Sequence, residues 1–410
     1  MARAVVADDA VARLVREEGA RVLATLARVT GSIDLAEDVA QDAVVRALET
    51  WPRDGVPANP RAWLLLTAKR RAVDIIRREA RRSGKEAEAT VFLDPVPEPP
   101  EVVRDDLLRL VFTCCHPALS LEAQVALALR TLGGLSTAEV ARGLLVPEAT
   151  MAKRLTRAKQ KITQAGIPYR VPPAEQLPAR LTGVAATIYL IFNEGYAAAA
   201  GADLVRVALS AEAVRLARLL AELMPDEPTV LGLLALLLLH DARRDARLDG
   251  EGAQVLLGDQ DRTRWDRQAI KEGVELIGRA LRRTPDRPDG YVVQAAIAAC
   301  HALAPSYAGT NWDAVISWYD VLLALRDSPV ARLNRAVAVA ERDGAAVGLA
   351  LVDGIGELDG YPWWHATRAE LLRRDGRAEA ARDAYERAIA LGLSEPQLAH
   401  VRRRLAELPG

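Results

Sequence analysis

The stretch LSTAEVARGLLVPEATMAKRLTRAKQKI, from Leu135 to Ile162, is the most informative part of the chain for its fold. Ser136 and Glu139 have the spacing of a capping box, in which each residue's side chain accepts from the other's amide. Pro147 is predicted to start a second helix, where its missing donor does no harm. That helix has an apolar inward face of Met151, Leu155, Ala158 and Ile162, and a basic outward face of Lys153, Arg154, Arg157 and Lys161. A short helix, a tight turn and a basic second helix are the ingredients of a reader of the DNA major groove.

The same helical periodicity extends over nearly the whole chain and predicts an all-α fold. Apolar residues recur at three- and four-residue spacing, and no convincing run alternates with a period of two. The longest apolar run, Val230 to Leu239, is shorter than the roughly 20 residues of a membrane span, so a buried helix is expected. Charges near the N-terminus argue against a signal peptide, and only three cysteines are present. We therefore expect a cytoplasmic protein without membrane contact.

The near-neutral charge of the chain hides a polarity. Its 410 residues carry 54 Lys and Arg against 55 Asp and Glu, which taken alone argues against a nucleic-acid partner. Residues 1–170, however, hold 26 basic and 22 acidic side chains, and residues 171–410 hold 28 and 33. Two local basic patches, at 61–85 and 142–161, stand out in the first part. DNA contact by these two patches is therefore compatible with the neutral total.

A helix predicted from Leu35 to Thr50 has two distinct faces. Its apolar stripe comprises Leu35, Val39, Ala43 and Ala47, and its other face carries Asp34, Asp38, Gln41, Asp42 and Val45. An acidic and amide-bearing stripe beside a buried one suits docking to a basic protein partner. A simply solvated face is the alternative.

The segment NPRAWLLLTAKRRAVDIIRREARR, from Asn59 to Arg82, is predicted to be a helix with an almost wholly cationic surface. Its core stripe is Leu64, Ala68, Ala72 and Ile76, and its exposed side carries Lys69, Arg70, Arg71, Arg77, Arg78, Arg81 and Arg82. Such a surface suits a phosphate backbone. Trp63 either stacks on a base or joins the core, with the core favoured, and Asp74 either orients arginines or pairs with Arg77 or Arg78.

Two Pro-rich stretches divide the chain. We expect an extended acidic linker at 86–104, with four prolines and five acids, and a second linker at 167–180. Beyond them, Arg335-Ala336 and Asp343-Gly344 recur as Arg368-Ala369 and Asp375-Gly376, an offset of 32 or 33 residues. This offset is near the 34-residue period of tetratricopeptide repeats. An irregular helical bundle is the alternative interpretation.

Taken in order, these segments resemble the extracytoplasmic-function type of sigma-70 factors, the small sigma subunits of bacterial RNA polymerase that keep regions two and four. DLAEDVAQDAVVRAL (34–48) resembles region 2.2, NPRAWLLLTAKRRAVDIIRRE (59–79) resembles regions 2.3 and 2.4, and 119–162 resembles region four. The resemblance implies that core polymerase is contacted by Asp38, Gln41 and Asp42. It implies minus-10 DNA contacts by Arg70, Arg71, Asp74, Arg77 and Arg78. It implies minus-35 contacts by Glu148, Thr150, Lys153, Arg154 and Arg157.

The resemblance also implies a domain plan and a function. Region two would cover 1–85, region four 105–166, and the acidic linker between them would thread the polymerase cleft as a nucleic-acid mimic or act as an inert tether. The protein would bind core RNA polymerase and direct initiation at two-element promoters. Arg70 stands where the common pattern has Asn, and Pro147 stands where Ser or Asn often caps the recognition helix. The finer minus-10 preference and the first-turn minus-35 contacts are therefore expected to differ.

Residues 181–410 exceed the usual length of such factors and resemble a C-terminal extension with tetratricopeptide-like helices, clearest over 329–396. The phrases LVFTCCHPAL, LIFNEGYAAAAG, LLALLLLHDARRDAR and LGDQDRTRWDR carry this resemblance. It implies control by the fused extension, and such repeats usually bind a protein or peptide in a concave groove. The net-acidic extension would also be attracted to the basic helices, which makes autoinhibition testable. Whether the extension inhibits or activates is left open.

Three smaller clusters have two interpretations each. Cys114-Cys115-His116 lacks zinc-ligand spacing, so packing is favoured over a metal site. The charged run from Asp259 to Arg267 fits a salt-bridged, capped helix entry better than a ligand site. Asn193 to Tyr196 are predicted at a helix break, either packing the extension onto region four or forming a pocket.

The sequence predicts no enzyme, no cofactor and no metal, because it has no phosphate-binding Gly loop, nucleophile constellation or ligand-spaced His/Cys set. Two rival functions remain at this point. One is a helix-turn-helix regulator that acts without replacing the sigma subunit, which leaves the Asp34 to Arg82 region unexplained. The other is a tetratricopeptide-type protein-binding scaffold.

Overall fold

The computed structural model describes residues 2–83, 100–144, 146–167, 169–197, 204–247, 255–393 and 395–409. This part is helical, with no strand, which confirms the all-α prediction. The helices of the first half of the chain are α1 Ala2–Thr30, α2 Ile33–Asp54, α3 Pro60–Ser83, α4 Pro100–Cys114, α5 Leu121–Thr131, α6 Thr137–Gly143, α7 Glu148–Gln164, α8 Leu177–Ala197 and α9 Leu204–Leu223. Those of the second half are α10 Pro228–Asp241, α11 Arg267–Arg283, α12 Gly290–Leu303, α13 Trp312–Leu325, α14 Pro329–Asp343, α15 Ala345–Asp353, α16 Pro362–Arg374, α17 Ala378–Ala390 and α18 Glu395–Ala406.

The chain forms two compact units. The first comprises residues 1–194 with 211–219, and the second comprises 195–210 with 220–410. Most of the predicted acidic linker, residues 86–99, lies outside the described residues. Its last five residues do not continue an extended linker, because α4 begins at Pro100. A proline is tolerated at the start of a helix, where its amide would lack a partner anyway.

In the first unit, α1, α2 and α3 pack on one another, and α4 packs on α1. The predicted apolar stripe of α2 is buried at Val39, Ala43 and Ala47, whereas Ala36 takes the buried place that we predicted for Leu35. In α3, Leu64, Ala68 and Ala72 are buried as predicted, and Ile76 is half-buried.

A buried polar centre joins α1 and α4 to the segment after α7. The Asp106 side chain is fully buried, with its Oδ1 2.8 Å from Arg28 Nε. The Tyr169 hydroxyl lies 2.9 Å from the carbonyl oxygens of both Ala24 and Asp106, to one of which it donates. Burial raises the pKa of Tyr169, so this hydroxyl keeps its proton. The segment predicted as a second linker is thus held at Tyr169 against α1 and α4.

Helix α8 completes the core of the first unit. Its buried residues include Val184, Ile188 and Phe192. Cys115 Sγ donates to Thr187 Oγ1 at 3.3 Å, and a Cβ added at Gly183 would lie 2.6 Å from Gln124 Oε1. The helix runs on to Ala197, so the predicted break at Asn193 to Tyr196 is wrong. The apolar residues before it keep the chain helical through Gly195.

The second unit is a row of helices in which each packs on the next. The predicted buried helix is α10, whose residues Val230 to Leu239 are all buried because α11 and α12 cover it. From α12 to α18 every helix contacts its successor in the chain. Gly344 and Gly376 occupy the left-handed region, with φ of 100° and 79°, at the tight turns that separate α14 from α15 and α16 from α17.

The repeat of the sequence corresponds to a repeat of contacts. Arg335 Nε lies 2.6 Å from Asp320 Oδ1, and Arg368 Nε lies 2.6 Å from Asp353 Oδ1. Both residues of the second pair stand 33 positions after those of the first. Successive helix pairs therefore use the same contact, as expected for a repeat in which each unit packs on its neighbour.

Candidate nucleic-acid and polymerase interface

Helices α6 and α7 form the predicted helix-turn-helix. The capping box is present: Glu139 Oε2 accepts from the Ser136 amide at 2.7 Å, and Ser136 Oγ accepts from the Glu139 amide at 3.2 Å. Pro147 occupies the cap position just before α7, where its carbonyl accepts from the amides of Thr150 and Met151, both at 3.0 Å. The predicted inward face, Met151, Leu155, Ala158 and Ile162, is buried.

The residues predicted at the minus-35 groove lie together on the outer side of α7. Glu148, Thr150, Lys153 and Arg157 are exposed, and Arg154 is half-buried. An N-terminal turn and basic face presented on a short, anchored helix form a surface that can enter a major groove.

The residues predicted at the minus-10 element share the exposed surface of α3. They are Arg70, Arg71, Asp74, Arg77 and Arg78, and all five are exposed. Trp63 is half-buried, and its ring meets Trp51 edge to face with centroids 5.5 Å apart. Lys69 on the same helix is half-buried, and burial together with the Arg28 charge lowers its pKa.

The residues predicted to contact core polymerase lie on α2. Asp38, Gln41 and Asp42 are exposed beside the buried stripe, as predicted. Asp42 Oδ2 lies 2.8 Å from Arg71 Nε of α3, so a residue predicted to bind polymerase and one predicted to bind DNA form an ion pair.

The structure also joins α2 to α7 through a residue that the sequence did not indicate. Lys159 Nζ lies 2.7 Å from Glu37 Oε2 and 3.1 Å from Asp34 Oδ1. Burial opposes the charge on this lysine, but its hydrogen bonds to Glu37 and Asp34 outweigh burial and raise its pKa. Residues 122 positions apart carry no local sequence signal of their contact.

Two of the three smaller clusters, Cys114 to His116 and Asp259 to Arg267, make local structural contacts. Cys114 and Cys115 are buried, with Cys114 Sγ 3.3 Å from Thr131 Oγ1, and burial raises the pKa of the Cys115 thiol to about 12. Asp261 and Asp266 cap a 3₁₀ turn and α11. The capping prediction is confirmed. Within the run from Asp259 to Arg267, the described structure shows no ion pair, because Asp261 and Asp266 accept from backbone amides instead. Among the described residues, no helix has the length and apolarity to cross a bilayer, and no group of three or more His, Cys, Asp or Glu is placed to hold a metal.

The chain matches two sigma families and a third family without an assigned function. Residues 14–82 match Sigma-70 region 2, and residues 109–162 match Sigma-70, region 4. Residues 180–281 match a family of unknown function, DUF6596. The class defined by the two matched regions is that of the sigma-70 factors, whose members in general are not enzymes.

Similar proteins show which family of sigma-70 factors the chain belongs to. The chain is 33% identical over 154 residues to the ECF RNA polymerase sigma factor SigL of Mycobacterium tuberculosis (strain H37Rv), covering 37% of this chain and 86% of that one. It is 31% identical over 159 residues to the ECF RNA polymerase sigma factor SigK of Mycobacterium ulcerans (strain Agy99), covering 37% and 82%. It is 44% identical over 401 residues to the uncharacterized protein R00370 of Rhizobium meliloti (strain 1021), covering 95% and 93%. The chain belongs to the extracytoplasmic-function family of sigma-70 factors, with a C-terminal extension, and directs promoter-specific transcription.

Proposed function

We propose that the three exposed surfaces of the first unit divide the work of a sigma factor among them. The α2 surface at Asp38, Gln41 and Asp42 binds core RNA polymerase. The α3 surface from Arg70 to Arg78 contacts the minus-10 element, and the α7 surface from Glu148 to Arg157 contacts the minus-35 element. The observation that carries the proposal is that each predicted set shares the outer side of one helix whose opposite side is buried in the same unit.

The charges of these surfaces suit their proposed partners. Over residues 60–78 of α3, whose side chains the structure describes, four exposed arginines flank one exposed acid, Asp74, which favours contact with phosphates. On α2, the exposed acids favour a basic protein surface. We place this activity in the cytoplasm, where polymerase and promoter DNA are.

The extension is proposed to modulate this activity, through a regulatory protein or peptide or through a smaller ligand. Its helix-pair repeat supports this role, because such arrays present concave binding surfaces.

Run-off transcription with purified core polymerase tests the central assignments. We expect promoter-specific transcripts from the intact chain, and a strong reduction when Asp38 and Asp42 are both changed to Lys. A matched control reverses two exposed acids of α17, Asp383→Lys with Glu386→Lys, which leaves the α2 surface untouched. Equal loss in both variants would contradict the polymerase assignment for α2.

Core dependence separates the proposal from its main rival. A helix-turn-helix regulator that acts without replacing sigma would bind promoter DNA tightly with no core present and would tolerate the α2 reversal. A protein-binding scaffold would retain its function when Arg77 and Arg78 are removed.

A further inference from the structure

A cavity of about 670 Å³ lies inside the second unit, lined by residues of α10, α12, α13 and α14. The apolar part of its wall includes Leu236, Ile297 and Leu322. Its polar groups include His240, Arg243 and His301. The volume lies within the range of small-molecule sites, which are mostly apolar with a few placed polar groups. None of the surfaces assigned to DNA or polymerase uses it.

Two arginines that follow α10, of which Arg243 lines this cavity, are held by neutral acceptors. Arg243 Nη2 donates to the Tyr196 hydroxyl at 2.8 Å and lies 3.2 Å from His240 Nδ1. Arg247 Nη1 donates to the Tyr196 carbonyl at 2.6 Å, and its guanidinium stands 3.5 Å from the centroid of the Tyr196 ring. These contacts fix the positions of both guanidinium groups without neutralising them.

A third arginine, Arg262, lies against the end of α12. Arg262 Nη1 donates to the carbonyls of His301 and Ala304, at 2.6 and 3.0 Å, and its guanidinium lies 4.4 Å from the centroid of the Trp265 ring. Arg262 Nη2 is buried with no hydrogen-bond partner in the described structure. Across the described residues, none of these three arginines forms an ion pair with a carboxylate.

Other arginines of the second unit do have carboxylate partners. In the helix pairs further along the unit, the arginines that line a second cavity are paired: Arg374 Nη1 lies 2.6 Å from Glu341 Oε1, and Arg404 Nε lies 4.0 Å from Glu370 Oε2. The acid at the edge of the cavity, Asp327, is itself 3.3 Å from Arg332.

Burial and the neighbouring positive charge together disfavour protonation of the two histidines at the cavity. Burial, and then the charge of Arg243, lowers the pKa of His240 to about 3 and of His301 to about 4. Both rings are therefore neutral at neutral pH. Half-buried guanidinium groups with no carboxylate partner among the described residues are suited to a bound anion, which would accept charge-assisted hydrogen bonds from them.

We propose that this cavity binds a small organic anion, either a carboxylate or a phosphate ester with an apolar body. The anionic group would lie against Arg243 and His301, and the body would lie against Leu236, Ile297 and Leu322. A small ligand is favoured over an acidic peptide because the adjoining cavity of about 790 Å³ has its arginines paired, Arg374 with Glu341 and Arg404 with Glu370, which leaves no extended positive path.

Ligand-observed fluorine NMR on the full chain, without polymerase, tests the proposal at fixed ionic strength. The probes are 4-fluorobenzoate, 4-fluorophenyl phosphate and the neutral 4-fluorobenzyl alcohol. We expect one or both anionic probes to bind more tightly than the neutral one, and the stronger of the two identifies the anionic group. Arg243→Gln should weaken that binding by about tenfold or more, as for loss of a charge-assisted hydrogen bond. Arg387→Gln, at an exposed position of α17, should leave it unchanged.

Several outcomes would overturn the proposal. They are no binding of either anionic probe at concentrations up to about the millimolar range of weak fragments, equal binding of the neutral probe, and equal loss of binding in both variants. If Arg243→Gln does not fold, as judged by circular dichroism, the comparison of charged and neutral probes on the unchanged protein still decides. Because polymerase and DNA are absent, failure here leaves the sigma assignment untouched.

Discussion

Asp42 and Arg71 form an ion pair between the proposed polymerase surface of α2 and the proposed DNA surface of α3. The side chains of Arg71 and Asp42 are 44% and 53% exposed, so their ion pair contributes at most about 1 kcal/mol to stability. Each can therefore exchange its partner for polymerase or DNA at little cost. The pair links the two proposed surfaces and contributes little to the stability of the fold.

Arg77 and Arg78 give a direct prediction for promoter binding. Both are exposed on α3 and are proposed to contact phosphates of the minus-10 region. Changing both to Ala should weaken promoter binding by the polymerase complex and lower the slope of log K against log salt by about 2, because each lost phosphate contact removes about one unit. Binding measured across a salt series checks this, and Arg382 with Arg387 changed to Ala is the matched control. An unchanged slope would remove α3 from the DNA interface.

The neutral histidines of the extension predict a dependence of stability on pH. An unfolded histidine has a pKa of about 6.5, whereas His240 and His301 have pKa values of about 3 and about 4 when folded. Between those values the unfolded chain binds more protons, so stability is complete above pH 6.5 and falls as pH decreases toward 4. The slope is at most about 1.4 kcal/mol per pH unit for each histidine. Urea unfolding at several pH values should show it, with a smaller slope in His301→Gln; an identical slope in that variant would contradict this origin.

At the scale of elements, the sequence was informative wherever structure depends on neighbours along the chain. The capping box at Ser136, the buried face of α7 and the apolar helix α10 follow from spacings of three and four residues, and the structure has all of them. The break predicted near Gly195 is wrong, because packing of α8 overrides the preference of a single glycine.

Contacts between distant residues could not be predicted in this way. The Lys159 contact with Glu37, the burial of Asp106 beside Arg28 and the meeting of Arg243 and His301 at one cavity depend on tertiary packing. A single sequence has no spacing rule for such partners. Which residues share an exposed helix face was therefore predictable, whereas the ion pairs between helices were not.

The contact between α2 and α7 has a consequence for promoter binding. Elements named for positions 10 and 35 are separated by about 25 base pairs, or about 85 Å of B-form DNA. In this structure Lys159 of α7 touches Glu37 of α2, and α3 packs on α2. Helices in direct contact cannot place their surfaces on both elements, so we infer that α7 leaves α2 when the promoter is bound.

Removal of the Lys159 contact should favour that separation. This prediction rests on the proposed function. The Lys159 and Glu37 side chains are only 16% and 18% exposed, and charged hydrogen bonds of this kind contribute about 1.5–3 kcal/mol. Lys159→Ala should therefore raise affinity for core polymerase, by up to about tenfold, if the free protein is held closed. Binding of labelled core measures this, and Lys161→Ala, exposed on the same helix, is the control. Lower affinity in Lys159→Ala alone would show that the lysine serves binding instead.

For the whole molecule, the division into units differs from a division into sigma regions and extension. The Sigma-70, region 4 match ends at residue 162, yet the first compact unit continues through Glu194 and also takes residues 211–219. Helix α8 contributes buried apolar side chains to it, and Arg180 Nη1 donates to the Phe112 carbonyl at 3.3 Å. Part of the extension is thus structural support for region four.

Two truncations separate support from regulation. A chain ending at Pro172 lacks α8, which leaves the Phe112 carbonyl without Arg180 and the buried Cys115 without Thr187. It should lose at least about 3 kcal/mol of stability, as expected when several buried apolar side chains are removed. A chain ending at Leu223 keeps every residue of the first unit and removes α10 to α18. We expect this longer chain to retain the cooperative melting of the first unit. Any change in its promoter output then reports regulation by the helix repeat. Wild-type output and core affinity from a folded 1–223 chain would refute a regulatory role for residues 224–410, whereas equal instability of both truncations would show that the second unit also supports the first.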